Sequence, residues 1–314
     1  MKTAQPRSKD RAGRPAISLI LAVYNQRRLA PIVLSSISAQ VIGAPFEVLI
    51  CDDGSSDEIL HSIAGWASEA PALDVRYIWQ PNLGFRKSRS VNNGIRNAQG
   101  EILVFADGDG WLSPFFLQDH WTAQQTPGRL VCGFRQELIL DRELLPESDT
   151  ELLKRVLAEK CNDPEERTEL LRSDRPWMAC TGCNFSVNKS DVLMYDEEFE
   201  GWGSEDRDLA YRLYTSGLNI HLFPRPNMVH LKGRNTAAEW NPIQGGGHDA
   251  IVAALQSKLA LRRKYPDDTM MPSLSLVKHC YLNAATDKWA LGPARAAVSE
   301  DEILNEFAAW RARR

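Results

Sequence analysis

Five apolar residues, Ile102–Ala106, run directly into Asp107-Gly108-Asp109-Gly110, and no other stretch limits the possible folds as much. An unbroken apolar run of this length reads as a strand buried on both faces, which belongs in a parallel sheet covered by helices. In open α/β sheets, ligands bind beyond the carboxyl ends of the strands. Two carboxylates placed there must be neutralised or must bind a cation, because an unpaired buried charge is expensive. Gly108 and Gly110 let the backbone turn sharply and leave room for a ligand. The segment reads as a divalent metal site, with an ordinary Asp-Gly turn as the alternative.

The residues before it supply the rest of such a sheet. Ala16–Val23 is expected as a first buried strand ending in Tyr24-Asn25. Phe46–Cys51 is a second, ending on Asp52-Asp53, and Val75–Trp79 a third. Leu29–Gln40 carries Leu29, Val33, Leu34 and Ile37 at helical spacing. Gly54-Ser55-Ser56-Asp57 offers N-caps for a helix over Glu58–Trp66. Arg86–Ala98 is a polar helix with Arg86, Lys87 and Arg89 near its start. This alternation predicts a doubly wound α/β fold, a mostly parallel sheet with helices on both faces. The first, second and fourth strands would deliver polar residues to one edge, which favours the metal site over the turn.

Further along, Pro114–Gln125 reads as helix, Arg129–Phe134 as strand, and the charged stretch Gln136–Arg175 as a surface excursion. Met178–Val187 returns to the core. In Gly201–Gly217 (GWGSEDRDLAYRLYTSG), Ser204 can cap a helix whose first turn holds Glu205, Asp206 and Asp208. Leu209 and Leu213 mark its buried face, and Gly217 stops it. Ile220–Phe223 is a short strand leading to Asn227-Met228-Val229-His230. Thr236–His248 reads as loop, and Ala250–Tyr265 and Ser299–Arg314 as C-terminal helices, the second opened by a capping box at Ser299 and Glu302.

Composition narrows the class. The chain has 314 residues, 43% hydrophobic and 25% charged, which suits one large domain or a domain with an appendage. A net charge of −4 argues against a nucleic-acid partner. No stretch approaches the roughly 20 apolar residues that span a bilayer, so no transmembrane segment is expected. The basic start has no apolar core of a secretory signal. Cys180 and Cys183 form a CxxC with no second pair to complete a zinc site. The six cysteines are therefore expected as reduced thiols in a cytoplasmic protein.

Six segments in this order, Ile17–Asn25, Glu47–Asp57, Val91–Gly94, Glu101–Asp109, Gly182–Ser186 and Gly201–Leu213, resemble the motifs of glycosyltransferase family 2 and its GT-A fold. GWGSEDRDLAYRL is similar to the galactosyltransferase-type segment of chondroitin polymerases and beta-1,4-galactosyltransferases. The resemblance spans about residues 16 to 235. It implies a flexible basic tail over 1–14 and a GT-A catalytic domain over 15–235, with a nucleotide-binding half (15–110) and an acceptor half (111–235). Residues 236–314 form a loop and helical extension.

The family also implies a nucleotide-sugar donor, a Mn²⁺ or Mg²⁺ ion, a saccharide or other hydroxyl acceptor, and inversion at the anomeric carbon. Such an ion stabilises charge growing on the leaving diphosphate. By this resemblance Asp109 and His230 are the metal ligands, and Asp107 partners the metal's surroundings or the ribose. Met228 stands two residues before His230, where the galactosyltransferases have it three before. Asp206 matches the base that deprotonates the acceptor, and the helix dipole favours its ionised form. Glu205 would hold acceptor or donor hydroxyls. Trp202 and Asn184 fall on the acceptor side, Trp202 as a sugar-stacking platform or a core residue. Tyr24, Asn25 and Asp53 fall on the nucleoside, with Asp53 matching the acid that accepts from the uracil imide and Asp52 structural. Arg86, Arg89, Lys232 and Arg234 are candidates for the diphosphate, because Val91 stands where the family often has arginine. Leu231–His248 would be a lid.

The expected activity is transfer of a hexose or N-acetylhexosamine, galactose or N-acetylgalactosamine favoured, from a UDP-sugar in polysaccharide biosynthesis. GDP- or dTDP-sugars are alternative donors. A sugar-nucleotide pyrophosphorylase would show a glycine-rich loop where Ala22–Asn25 stands, and a non-catalytic sugar-nucleotide binder would not need both kinds of acid.

Overall fold

The computed structural model describes residues 3–4, 14–26, 29–55, 57–140, 164–233, 247–267, 270, 277–295 and 297–314. Nine strands of the described residues form one sheet: β1 (Thr3–Ala4), β2 (Ile17–Val23), β3 (Phe46–Asp52), β4 (Asp74–Trp79), β5 (Ile102–Asp107), β6 (Gly110–Leu112), β7 (Arg129–Leu140), β8 (Asn184–Asn188) and β9 (Asn219–Gly233). Their order is β1-β4-β3-β2-β5-β8-β7-β9-β6. β4, β3, β2 and β5 run parallel, as their apolar runs predict. β8 then enters antiparallel against β5 and β7, while β7 and β9 pair parallel. The sheet is thus parallel from β4 to β5, with an antiparallel β1 at its edge, and mixed beyond β5.

Alternation along β2 sends side chains to two cores. Ile17, Leu19, Leu21 and Val23 pack with Val33, Leu34 and Ile37 of the Ala30–Ser38 helix and with Ile59 and Ile63 of the Asp57–Glu69 helix. Ile20 and Ala22 face the other way, toward Val91 and Ile95 of the Lys87–Asn97 helix. That second core also takes in Leu209 and Leu213 of the Glu205–Thr215 helix, Ile251 and Leu255 of the His248–Lys264 helix, and Ile303 and Phe307 of the Glu300–Ala312 helix. The C-terminal helices therefore pack on the main core. A hairpin of β10 (Cys280–Asn283) and β11 (Lys288–Leu291) lies between them in sequence and adds Trp289 to that core. The capping box of Ser299 and Glu302 forms as expected.

Register decides where the polar strand ends go. Val23 of β2 pairs with Asp52 of β3, and Ala22 pairs with Asp107 of β5. The ends of β2, β3 and β5 are therefore level, and Asn25, Asp53 and Asp107 share one edge.

Two expectations need correction. The excursion from Gln136 does not begin there: β7 continues to Leu140, with Gln136 and Leu138 buried and paired to Val229 and Leu231. The strand expected over Ile220–Phe223 continues to Gly233. Pro224 and Pro226 read as an ending, but β9 accommodates them in a register irregularity opposite Gly133, between the Cys132–Leu222 and Phe134–Pro226 pairs. Residues 141–163 and 234–246, including most of the expected lid, lie outside the described residues.

A buried carboxylate ties the sheet together at the opposite edge. Glu47 of β3 is fully buried and accepts from Ser18 Oγ (2.5 Å), from Arg76 of β4, and from the amides of Gln99 (2.6 Å) and Gly100 (3.2 Å) ahead of β5. Gly100 is needed here, since a Cβ would lie 2.5 Å from the backbone of Ile17 and Ser18. Removing one member of a buried pair leaves the other uncompensated. Glu47→Ala is expected to cost about 3 kcal/mol, measured as a lower urea midpoint at unchanged m-value; a change under about 0.5 kcal/mol would place the network among neutral surface contacts.

Candidate functional site

At the carboxyl edge of the sheet, three elements converge on one ammonium group. Lys87, the first residue of the Lys87–Asn97 helix, puts Nζ 2.9 Å and 3.2 Å from the two carboxylate oxygens of Asp107 at the end of β5. The same Nζ lies 3.7 Å from Asp206 Oδ2 and 4.0 Å from Glu205 Oε1, in the first turn of the Glu205–Thr215 helix. Burial works against the Lys87 charge, but Asp107, Asp206 and Glu205 together hold it well above the ordinary lysine range. Burial pushes the Asp107 carboxyl up, Lys87 opposes this, and Asp109 and Asp206 add to it.

Glu205 and Asp206 differ sharply although they are neighbours. Glu205 is buried, and its Oε2 accepts from the amides of Gly203 and Ser204, both at 2.9 Å. Ser204 occupies the N-cap position as expected, but its hydroxyl makes no capping bond; Glu205 binds the two amides ahead of the helix rather than those inside it. Burial first and Asp206 second raise the Glu205 carboxyl to about 7. Asp206 is half-buried and keeps part of its side chain exposed to solvent. Tyr195 Oη donates to Asp206 Oδ1 at 3.3 Å, and burial followed by the nearby Asp206 charge keeps Tyr195 a phenol. The backbone at Gly182 lies flat against Asp206, for a Cβ there would stand 1.9 to 2.1 Å from the carboxylate. Arg207 secures this arrangement by donating to the carbonyls of Met178 and Cys180.

Beside this cluster stands a second pair. β6 pairs with β9 so that Gly110 faces His230, and His230 Nε2 lies 3.0 Å from Asp109 Oδ2. Burial works against the Asp109 charge, but the His230 contact and the fields of Lys87 and Arg135 hold its carboxyl below the ordinary value. Asp109 Oδ1 and His230 Nδ1 are buried without a hydrogen-bond partner. Among the described residues no group of three His, Cys, Asp or Glu side chains forms a metal cage. Met228 is buried over Gly110, where a Cβ would fall 2.0 Å from its methyl carbon.

The nucleoside-side residues gather at the ends of β2 and β3. Tyr24 is 44% exposed, leaving its ring face available, and its hydroxyl accepts from Asn82. Asn25 adopts a left-handed φ of 50° and donates its amide to Ser55. Asp53 accepts from the Gln80 amide and the Arg86 backbone, both at 2.6 Å, and burial raises its carboxyl. Asp52 is fully buried on Ser55 and Tyr77, a structural role.

Some expected site residues are placed elsewhere. Asn184, expected on the acceptor side, is fully buried and braced by Phe134, Asn227 and His120. Arg86 turns back to the Pro81 carbonyl, and Arg89 is exposed. Among the described hydrogen bonds neither guanidinium reaches Asp107, Asp109 or Asp206, and Arg86 meets Asp53 through its backbone amide. The Lys232 side chain and Arg234 lie outside the described residues. Trp202 is half-buried on a turn whose Gly203 has a φ of 92°. Lys87, Tyr195 and Gly182 were not foreseen as site residues. Lys87 stood between two arginines with nothing to single it out, although the helical phase separates it from both.

Comparison with known proteins places this geometry in a family. The model for glycosyl transferase family 2 matches residues 18–191, more than half of the chain, and the chain belongs to that family. A second model, described as the N-terminal domain of galactosyltransferase, matches residues 164–234. The validoxylamine A glucosyltransferase of Streptomyces hygroscopicus subsp. jinggangensis is 29% identical over 227 residues, covering 65% of this chain and 52% of the relative. The hyaluronan synthase of Pasteurella multocida is 27% identical over 227 residues, covering 64% of this chain and 23% of the relative. The chain thus spans about half, or less, of the length of these relatives. In fold it is similar to the mannosyltransferase PcManGT from Pyrobaculum calidifontis, solved with GDP-Man and Mn²⁺, at a TM-score of 0.54 and 18% identity over 99% of this chain and 78% of that one. The fold is that of the GT-A glycosyltransferases. No helix of the described residues is long and apolar enough to cross a membrane.

The Glu205 environment has a measurable pH signature. A carboxyl raised from 4.5 to about 7 in the fold contributes stability that is full below the lower value and lost as pH rises through the upper one. Glu205→Gln stays neutral throughout and keeps an acceptor for the two amides. Its stability relative to the native chain is expected to rise by on the order of 3 kcal/mol across that window. Denaturation at several pH values measures this, and parallel profiles would refute the assigned environment.

Proposed function

We propose that this member of glycosyl transferase family 2 is a metal-dependent, inverting transferase that moves a hexose or N-acetylhexosamine from a UDP-sugar to a hydroxyl acceptor. Galactose and N-acetylgalactosamine are favoured, a preference supported by the galactosyltransferase-type match over residues 164–234. The observation that carries the reading is the meeting of Asp206 with the Asp107–Lys87 pair, next to Asp109 and His230. Tyr24, Asn25 and Asp53 take the nucleoside at the ends of β2 and β3, in a donor half over 15–110, and Trp202 serves the acceptor from the 111–235 half. A GDP-sugar is the second reading for the donor, because the fold neighbour PcManGT was solved with GDP-Man.

Asp109 and His230 fit a divalent cation, Mn²⁺ being favoured over Mg²⁺ by the imidazole. Each has a buried atom without a partner, and two side chains suffice when substrate phosphates and water complete the shell. When bound, the cation supplies Lewis-acid neutralisation of the departing diphosphate.

The chain's own groups account for the proton. The acceptor hydroxyl approaches Asp206 from the cleft. As its oxygen bonds to the anomeric carbon, its proton passes to the Asp206 carboxylate, and the bond from that carbon to the diphosphate oxygen breaks on the opposite face. Tyr195 and Gly182 fix the Asp206 rotamer. Lys87 balances its charge before transfer and stays with Asp107 after it. Burial and the neighbouring Asp206 charge raise the Glu205 carboxyl to about 7.

Asp206→Asn tests this reading. With UDP-galactose or UDP-N-acetylgalactosamine and manganese, turnover is expected to fall by about 10²–10⁴. Donor-induced thermal stabilisation is expected to persist, at about 2.7 kcal/mol for donor at 100 times its dissociation constant, and to vanish on chelation. A full transfer rate in the variant removes Asp206 as base, and absence of both stabilisation and turnover in the native chain removes the donor class.

A further inference from the structure

The His248–Lys264 helix lies beyond both family matches, which end at residues 191 and 234, yet it grips the turn that opens the Asp206 helix. Gly201 packs on this helix so closely that a Cβ would stand 2.2 Å from the Ala253 carbonyl and 3.2 Å from the Ser257 amide. About one turn further on, Lys258 reaches back over the same loop, and its Nζ donates to the Gly203 carbonyl at 2.5 Å. Lys258 is 6% exposed, and among the described residues that carbonyl is its one hydrogen-bond partner. Burying an ammonium is costly, and an apolar side chain would fill the same space without that cost, so the charged head has work beyond packing.

Its surroundings say what the head does. The Gly203 amide and the Ser204 amide are held by Glu205, and the Gly203 carbonyl by Lys258. The turn is therefore clamped from both sides. Trp202 projects from it, and Asp206 follows it directly. Glu205 in turn stands between two ammonium groups, Lys87 on the cleft side and Lys258 on the side of the C-terminal helix.

We propose that Lys258 is a positioning residue of the transfer site, holding the Gly201–Ser204 turn so that Trp202 and the start of the Asp206 helix face the acceptor. The C-terminal helix is on this view part of the catalytic unit. The role of Trp202 toward the acceptor rests on the function proposed above; the clamping of the turn does not.

Two variants, Lys258→Met and Lys258→Gln, separate the possibilities. Lys258→Met is expected to raise the KM for acceptor about tenfold while the KM for donor stays within about twofold, with Lys258→Gln intermediate because it keeps a shorter donor. A purely structural residue would instead lower the active fraction, reducing apparent kcat and leaving both KM values unchanged; that result overturns the proposal. Hydrogen exchange gives a readout independent of turnover. The Gly201–Glu205 peptide is expected to exchange about tenfold faster in Lys258→Met, with other peptides unchanged. Unchanged exchange at that peptide, or an equal rise throughout the chain, overturns the clamp. If the native chain transfers no sugar, the functional reading fails and the exchange result alone decides the clamp.

Discussion

The site depends on one ammonium group. Asp107, Glu205 and Asp206 come from a strand end and a distant helix, and all three have a carboxylate oxygen within 4.0 Å of the Lys87 ammonium. At about 4 Å and an effective dielectric near 20, a unit-charge contact is worth on the order of 4 kcal/mol before desolvation is subtracted. Without Lys87 those terms would all be repulsive. With it, the strand end of β5 and the Glu205–Thr215 helix have a reason to meet. The parallel register of β2, β3 and β5 then brings the nucleoside-side residues to the same edge.

Neighbouring carboxyls in this cleft are tuned apart. Glu205 is buried and raised to about 7, while Asp109 is held low by the His230 contact against the pull of burial. A site that must release a proton acceptor at one point and keep negative charge at another needs such separation. Backbone identity contributes as much as charge. Gly182 gives Asp206 its space, and Gly201 lets the C-terminal helix close on the turn ahead of it.

Much of this was readable from residue order. The runs at Ala16–Val23, Phe46–Cys51 and Ile102–Ala106 each formed a strand, because such runs are buried on both faces only in a parallel layer. Asp109 and His230 were expected, by the resemblance, as metal ligands, and β6–β9 pairing sets them 3.0 Å apart. What was not readable depended on non-local partners. β6 has only three residues and exists because β9 lies beside it. β9 passes through two prolines because β7 tolerates an irregular register. Asn184 sits in a motif, yet its amide turned inward to satisfy His120 and Asn227. Lys87 could be told from Arg86 and Arg89 only once the helix phase and the position of the Glu205–Thr215 helix were known.

The most direct test of the central interaction is carboxyl carbon-13 titration by NMR in the native chain and in Lys87→Met. Because the groups interact, the curves report apparent values of the cluster. If Lys87 balances these acids, its removal raises the apparent values assigned to Asp107 and Glu205 by about one unit or more and leaves Asp287, paired with Arg314, unchanged. Titration curves for Asp107 and Glu205 that overlay those of the native chain would contradict the account.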